Sequence, residues 1–156
     1  MPMFHRRPSR INLRSLWRLG ITGVALGWMA FIFYSSSLSQ DQASKPLESG
    51  AVSWLGDLRS YVAHFVLYGV LAALIQASMW GWNLGYQLRW SVAAAVIAAL
   101  YGASDEYHQT FVAGRSATLV DVIVNTVGAA FSAAGLWLLV RVLRGRLVHE
   151  YSEEPT

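Results

Sequence analysis

Apolar residues gather into four runs along the chain, Leu19 to Leu38, Tyr61 to Trp82, Leu88 to Ser104 and Leu119 to Val140, with polar stretches between them. Each run is close to the roughly 17 to 25 residues a helix needs to cross a hydrocarbon core. The pattern therefore predicts an all-α integral membrane bundle of four transmembrane helices. The third run is the weakest, because Arg89 and Ser91 interrupt it early. The stretch from Ser35 to Gly56 contains Lys45, Pro46 and Gly50 and reads as a loop. Within it, Ala51 to Leu55 with Trp54 suits an interfacial turn, and Asp57 or Ser60 is placed to cap the second helix. Gly81 to Gly85 predicts a short turn. The domain reading is a basic tail over 1–18, a four-helix transmembrane domain over 19–140 and a second charged tail over 141–156.

Composition fits this class. The 156 residues are 54% hydrophobic and 13% charged, with a mean hydropathy of +0.37, too apolar for an ordinary soluble domain. The lipid bilayer is the expected partner. The chain has no cysteine, which excludes disulfides and thiolate metal sites.

Charge placement then separates a topology signal from a nucleic-acid signal. Arg6, Arg7, Arg10, Arg14 and Arg18 precede the first run, Arg89 lies between the second and third, and Arg141, Arg144 and Arg146 follow the fourth. With four crossings, nine of the twelve basic residues fall on one side; Lys45, Arg59 and Arg115 remain for the other. The positive-inside rule places both termini in the cytoplasm and the 39–60 and 105–118 loops outside. Nucleic acid is not an expected partner. The first run is read as a retained anchor rather than a signal peptide, because Trp28, Phe31, Phe33 and Tyr34 stand where a cleavage site needs small residues. Trp17, Trp28 and Tyr34 suit interfacial positions, and Gly20, Gly23 and Gly27 form a stripe on which another helix could pack.

Polar chemistry is concentrated between Ser104 and Asn125, which holds Asp105, Glu106, His108, Gln109, Arg115, Asp121 and Asn125. Asp105 and Gln109, like Asp121 and Asn125, are spaced to share a helix face. His64 and Tyr68 lie one turn apart near the same predicted membrane face, with Leu71 and Ile75 continuing their side. A charge exposed to lipid at mid-membrane costs at least about 2.5 to 3.5 kcal/mol. These groups are thus expected to face each other as a polar cup open to the outside.

Each has a structural reading beside its chemical one. Asp105 and Glu106 end an outward-running helix, where the macrodipole disfavours negative charge, and Arg115 is their expected partner or else a fork for an anionic ligand. Asp121 fits a Thr118-x-x-Asp capping box, and Asn125 fits an interhelical hydrogen bond. His64 suits a general base, a metal ligand or a packing residue; His108 is expected in a solvent-exposed loop. The candidate catalytic residues are His64, Asp105 and Glu106, and the candidate ligand-binding residues are Tyr68, Gln109, Arg115, Asp121 and Asn125. No zincin spacing, nucleophile elbow or phosphate-binding glycine loop is present, and no metal or cofactor is expected.

These residues carry a family likeness. Asp105-Glu106-Tyr107-His108-Gln109-Thr110-Phe111, followed by Gly114-Arg115, Asp121, Asn125 and Gly128, resembles the VanZ-like membrane proteins. His64-Phe65 with Tyr68, and Phe33-Tyr34-Ser35-Ser36, extend the likeness over roughly 33–132. Two positions depart from it: Ala113 stands where the family commonly has proline before Gly-Arg, and Ser60-Tyr61 where an Asp-Lys pair often precedes the histidine. The resemblance implies a multi-pass protein of the bacterial cytoplasmic membrane and cell envelope, in a family whose founding member is linked to tolerance of teicoplanin-type glycopeptide antibiotics. The function expected on these grounds is binding or modifying an anionic lipid-linked or cell-wall ligand at the outer leaflet. The alternatives are a membrane-embedded enzyme using His64 and Asp105, and a non-catalytic helical interaction module.

Overall fold

The computed structural model describes residues 12–39, 41–42, 55, 58–82 and 84–152, with side chains up to residue 146. The chain is all-α, with four long helices: α1 (Leu13–Ser36), α2 (Leu58–Gly81), α3 (Leu88–Gln109) and α4 (Leu119–Ser152). The tail before residue 12 and the loop features around Pro46, Trp54 and Asp57 lie outside the described residues. α2 is the hub, packed against all three other helices, while α4 packs on α2 and α3.

Among the described residues, three helices are long and apolar enough to cross a membrane: α1, α2 and the Leu119–Arg146 part of α4. α3 is not among them. Six of its 22 residues are alanine, with Arg89 near one end and Asp105 and Glu106 near the other. It is a packing helix as much as an apolar one: Ser91, Ala94, Ala98, Gly102, Asp105, Glu106 and Gln109 are buried along one side.

The distribution of polarity is that of a membrane protein. Leu26, Phe31, Val92, Leu100 and Phe131 point outward, while Gln76, Ser91, Asp105, Glu106, Gln109 and Asn125 are buried. Lipid solvates apolar surface as well as another helix does, so helix association depends on close packing and hydrogen bonds. Small residues supply the close packing. Ala72, Ala94, Ala98, Ala129 and Ala133 sit in the core, and a Cβ on Gly128 would overlap the carbonyl oxygen of Phe65. Hydrogen bonds supply the rest: the Trp28 indole donates to the Leu67 carbonyl (3.0 Å), Tyr101 to the Met29 carbonyl (2.7 Å), and Gln76 to Ser91 (2.8 Å).

Trp28 ties α1 to α2, its indole N–H meeting a backbone carbonyl of α2. The Gly20, Gly23 and Gly27 stripe stands open: a methyl group added at any of the three would have nothing within 4 Å among the described residues, so no described helix packs there.

Candidate functional site

α3 extends beyond the expected boundary to Gln109, so Asp105, Glu106, His108 and Gln109 are helical rather than part of a loop. This extra turn has a cause in the partners available to it. Asp105 and Glu106 are buried, and both find donors on neighbouring helices, which offsets the unfavourable macrodipole at this end.

Two hydrogen-bonded groups result. In the first, the Tyr68 hydroxyl donates to Asp105 Oδ2 at 2.9 Å and Gln109 Nε2 donates to the same oxygen at 3.1 Å. In the second, Asn125 Nδ2 donates to Glu106 Oε1 at 3.3 Å, while Asn125 Oδ1 lies 3.1 Å from His64 Nδ1. His64 Nδ1 is also 3.4 Å from Glu106 Oε1. Both neighbours of Nδ1 are acceptors, so Nδ1 carries the hydrogen and donates. In the neutral ring this leaves the lone pair on Nε2, which has no protein partner among the described residues.

His64, Tyr68, Asp105, Gln109 and Arg115 line one cavity of about 380 Å³, together with Phe31, Ile32, Leu38, Leu67 and the serines Ser35, Ser36 and Ser60. Three helices and the loop after α3 meet there. Among the described residues, Asp105 Oδ1 is buried without a hydrogen-bond partner, and so is Glu106 Oε2. A buried unmatched acceptor costs roughly 1–3 kcal/mol, more when charged, so these oxygens are where a proton or a donor group would be most stabilising.

Arg115 shares the cavity wall with Asp105 but makes no direct ion pair with Asp105 or Glu106 among the described residues. Its Nε donates to the Leu38 carbonyl and its Nη2 to the Ser35 carbonyl, both at 3.1 Å. Ser35 lies in the last turn of α1 and Leu38 two residues beyond it, so Arg115 ties its loop to the exit of α1. A turn aims it there. Arg115 N donates to the Val112 carbonyl at 3.1 Å, and Gly114 adopts φ +76°, as the third residue of a type II turn must. Arg115 Nη1 has no hydrogen-bond partner among the described residues.

The other candidates divide. Asp121 belongs to the N-terminal cap of α4: its N–H donates to Thr118 Oγ1 at 3.2 Å, and the Thr118 hydroxyl donates to Asp121 Oδ2 at 2.6 Å. It is not in the cavity wall. His108 is half-buried instead of solvent-exposed, stacked on Phe33 with ring centroids 4.6 Å apart and 3.1 Å from the Ser37 hydroxyl. Sequence reasoning misses the backbone carbonyls that hold Arg115, for which no side-chain signal exists, and the Gln76–Ser91 pair. That pair does leave a signal, as two polar residues inside apolar runs.

Apolar outward faces, three helices of spanning length and a polar interior define a membrane protein. The chain belongs to the VanZ/LLP1 family, whose model matches residues 21–141. No curated protein and no solved structure matches the chain.

Proposed function

We propose that this VanZ-like protein is a four-crossing component of the bacterial cytoplasmic membrane, organised as tail, 19–140 transmembrane domain and tail, with both termini cytoplasmic. Its cavity opens at the outer leaflet and binds the anionic headgroup of a lipid-linked or cell-wall ligand. The observation that carries this reading is the pairing in one cavity wall of Arg115, whose Nη1 has no partner among the described residues, and buried Asp105, with an oxygen unmatched among them. An anionic group of the ligand meets Arg115, a hydroxyl or amine of the same ligand meets Asp105 Oδ1, and the apolar wall of Phe31, Ile32 and Leu67 receives its lipid portion. Contribution to teicoplanin tolerance follows as the physiological proposal, through the family.

The test is teicoplanin and vancomycin susceptibility of a susceptible Gram-positive host expressing the native chain, Asp105→Asn or Arg115→Gln at matched membrane levels. Protection by the native chain, lost in both variants, is the expected result. No protection by the native chain refutes the tolerance role. Protection retained by both variants removes the cavity as its site.

A catalytic reading rests on one further observation, the fixed tautomer of His64. Glu106 and Asn125 hold Nδ1, leaving Nε2 as a general base at a cavity that also contains Asp105. His64→Gln should then abolish protection while the protein remains folded; retained protection excludes base catalysis by His64.

A further inference from the structure

The opposite end of the bundle carries a second, differently built region. There Arg14, Arg18, Trp80, Gly81 and Tyr86 line a cavity of about 520 Å³ between the start of α1 and the end of α2. Tyr86 is shared with an adjoining cavity of about 350 Å³, whose walls include Trp137, Arg141 and Arg144. The tyrosine ring is the partition: it packs on Trp80 with centroids 4.9 Å apart, and the Arg144 guanidinium lies 4.6 Å from its centroid. Arg141 lies over Trp137 at 5.2 Å in the same way. Such stacking holds a guanidinium by its face and leaves its N–H edge free to donate.

Four features point to the occupant. Close to the cavities the charge is one-sided: 13–18, 77–90 and 137–146 hold arginine and no aspartate or glutamate, the next acidic residue along α4 being Glu150. The Trp80 indole N–H is buried with no hydrogen-bond partner among the described residues, and Trp80 lines the larger cavity. Trp17, Trp80, Trp82, Trp90 and Trp137 cluster at this end, the composition of a headgroup-level aromatic belt. The walls also include Leu13, Trp17 and Ala77, which accommodate acyl chains leading away from a headgroup.

We infer that the cavity formed by Arg14, Arg18, Trp80 and Tyr86 binds the phosphate of an anionic phospholipid, with Arg141 and Arg144 adding charge from across Tyr86. The phosphate oxygens accept from the guanidinium edges. A zwitterionic lipid brings its own cation to a basic site and binds more weakly. The site is independent of the cavity containing Asp105 and of the function proposed for it.

Tryptophan quenching tests the inference, since five of the seven tryptophans lie at this end. The full-length protein is reconstituted in phosphatidylcholine vesicles carrying equal fractions of either dibrominated phosphatidylglycerol or dibrominated phosphatidylcholine. The expected result is a relative affinity for the anionic lipid of about fivefold or more, on the order of one basic contact's worth, falling to near one in Arg14→Gln/Arg18→Gln. Circular dichroism and monodisperse elution establish that the variant is folded. Should it not fold, Arg141→Gln/Arg144→Gln takes its place, with a partial loss of selectivity expected. Equal quenching by the two lipids in the native protein overturns the inference, as does selectivity unchanged in a folded variant. Inorganic phosphate, added at constant ionic strength, separates the two sources of the anion: a phosphate-dependent change in tryptophan emission that is lost in the variant, together with equal quenching by the two lipids, identifies a site for the free ion and overturns the lipid assignment.

Discussion

His64 on α2 and Glu106 on α3 meet through Nδ1 and Oε1 at 3.4 Å, with the Asn125 amide of α4 bonded to both. The histidine–carboxylate contact joins α2 to α3 and Asn125 adds α4, and together they fix which ring nitrogen faces away from the protein scaffold. Residues so connected should be energetically coupled. In a double-mutant cycle of His64→Ala and Glu106→Gln, the expected interaction energy is about 0.5–3 kcal/mol, measured by unfolding in detergent micelles. Simple additivity would mean that the contact contributes nothing to the fold.

Tyr68 and Asp105 form the second tie between α2 and α3. Tyr68→Phe keeps the ring in its buried position and removes only the donor to Asp105 Oδ2. A loss of about 1–2 kcal/mol is expected, between the average for an intramembrane hydrogen bond and the value for one made to a carboxylate. The same substitution made in an Asp105→Asn background should cost less, because the amide demands less from its donor.

The α2–α4 contact depends on Gly128. A methyl group there would overlap the Phe65 carbonyl oxygen, and a backbone atom cannot rotate out of the way. Gly128→Ala should therefore destabilise by about 1–3 kcal/mol, the usual range for overpacking, whereas Gly23→Ala, where the space is open, should be tolerated. Comparing the thermal unfolding of the two variants checks this.

Ala113 occupies the second position of the Val112–Arg115 turn, where proline's fixed φ is favoured in type II turns. Its N–H makes no backbone hydrogen bond among the described residues. Ala113→Pro should stabilise the protein by about 0.4–1 kcal/mol by restricting the unfolded chain, while leaving Arg115 bonded to the carbonyls of Ser35 and Leu38. A fall in stability on denaturation in micelles would show that the turn is not of the type II form.

Most of the helical architecture is legible in the sequence, because length and hydropathy of an apolar run bear directly on whether it can cross a bilayer. The end of α3 is not legible in this way. Asp105 and Glu106 read as the point where an apolar helix must stop, yet they continue it, since Tyr68, Gln109, Asn125 and His64 meet their oxygens from the sides. The face shared by His64, Tyr68, Leu71 and Ile75 follows from helical spacing alone. Spacing also pairs Asp105 with Gln109 correctly, whereas Asp121 and Asn125, at the same spacing, turn to different partners.

Local spacing and solvation are enough to specify the all-α class, the apolar runs, the polar stretch that carries the family likeness and the Thr118–Asp121 cap. What each polar group bonds to comes instead from the way the helices are assembled. Arg115 reaches α1 carbonyls rather than a carboxylate, His108 leaves solvent for Phe33, and the glycine stripe of α1 is left open while Gly128 is filled against Phe65. The reason is that periodicity sets the direction in which a side chain leaves its own helix. The distance to a partner is set by how helices cross, and backbone carbonyls, identical at every residue, leave no mark in the sequence.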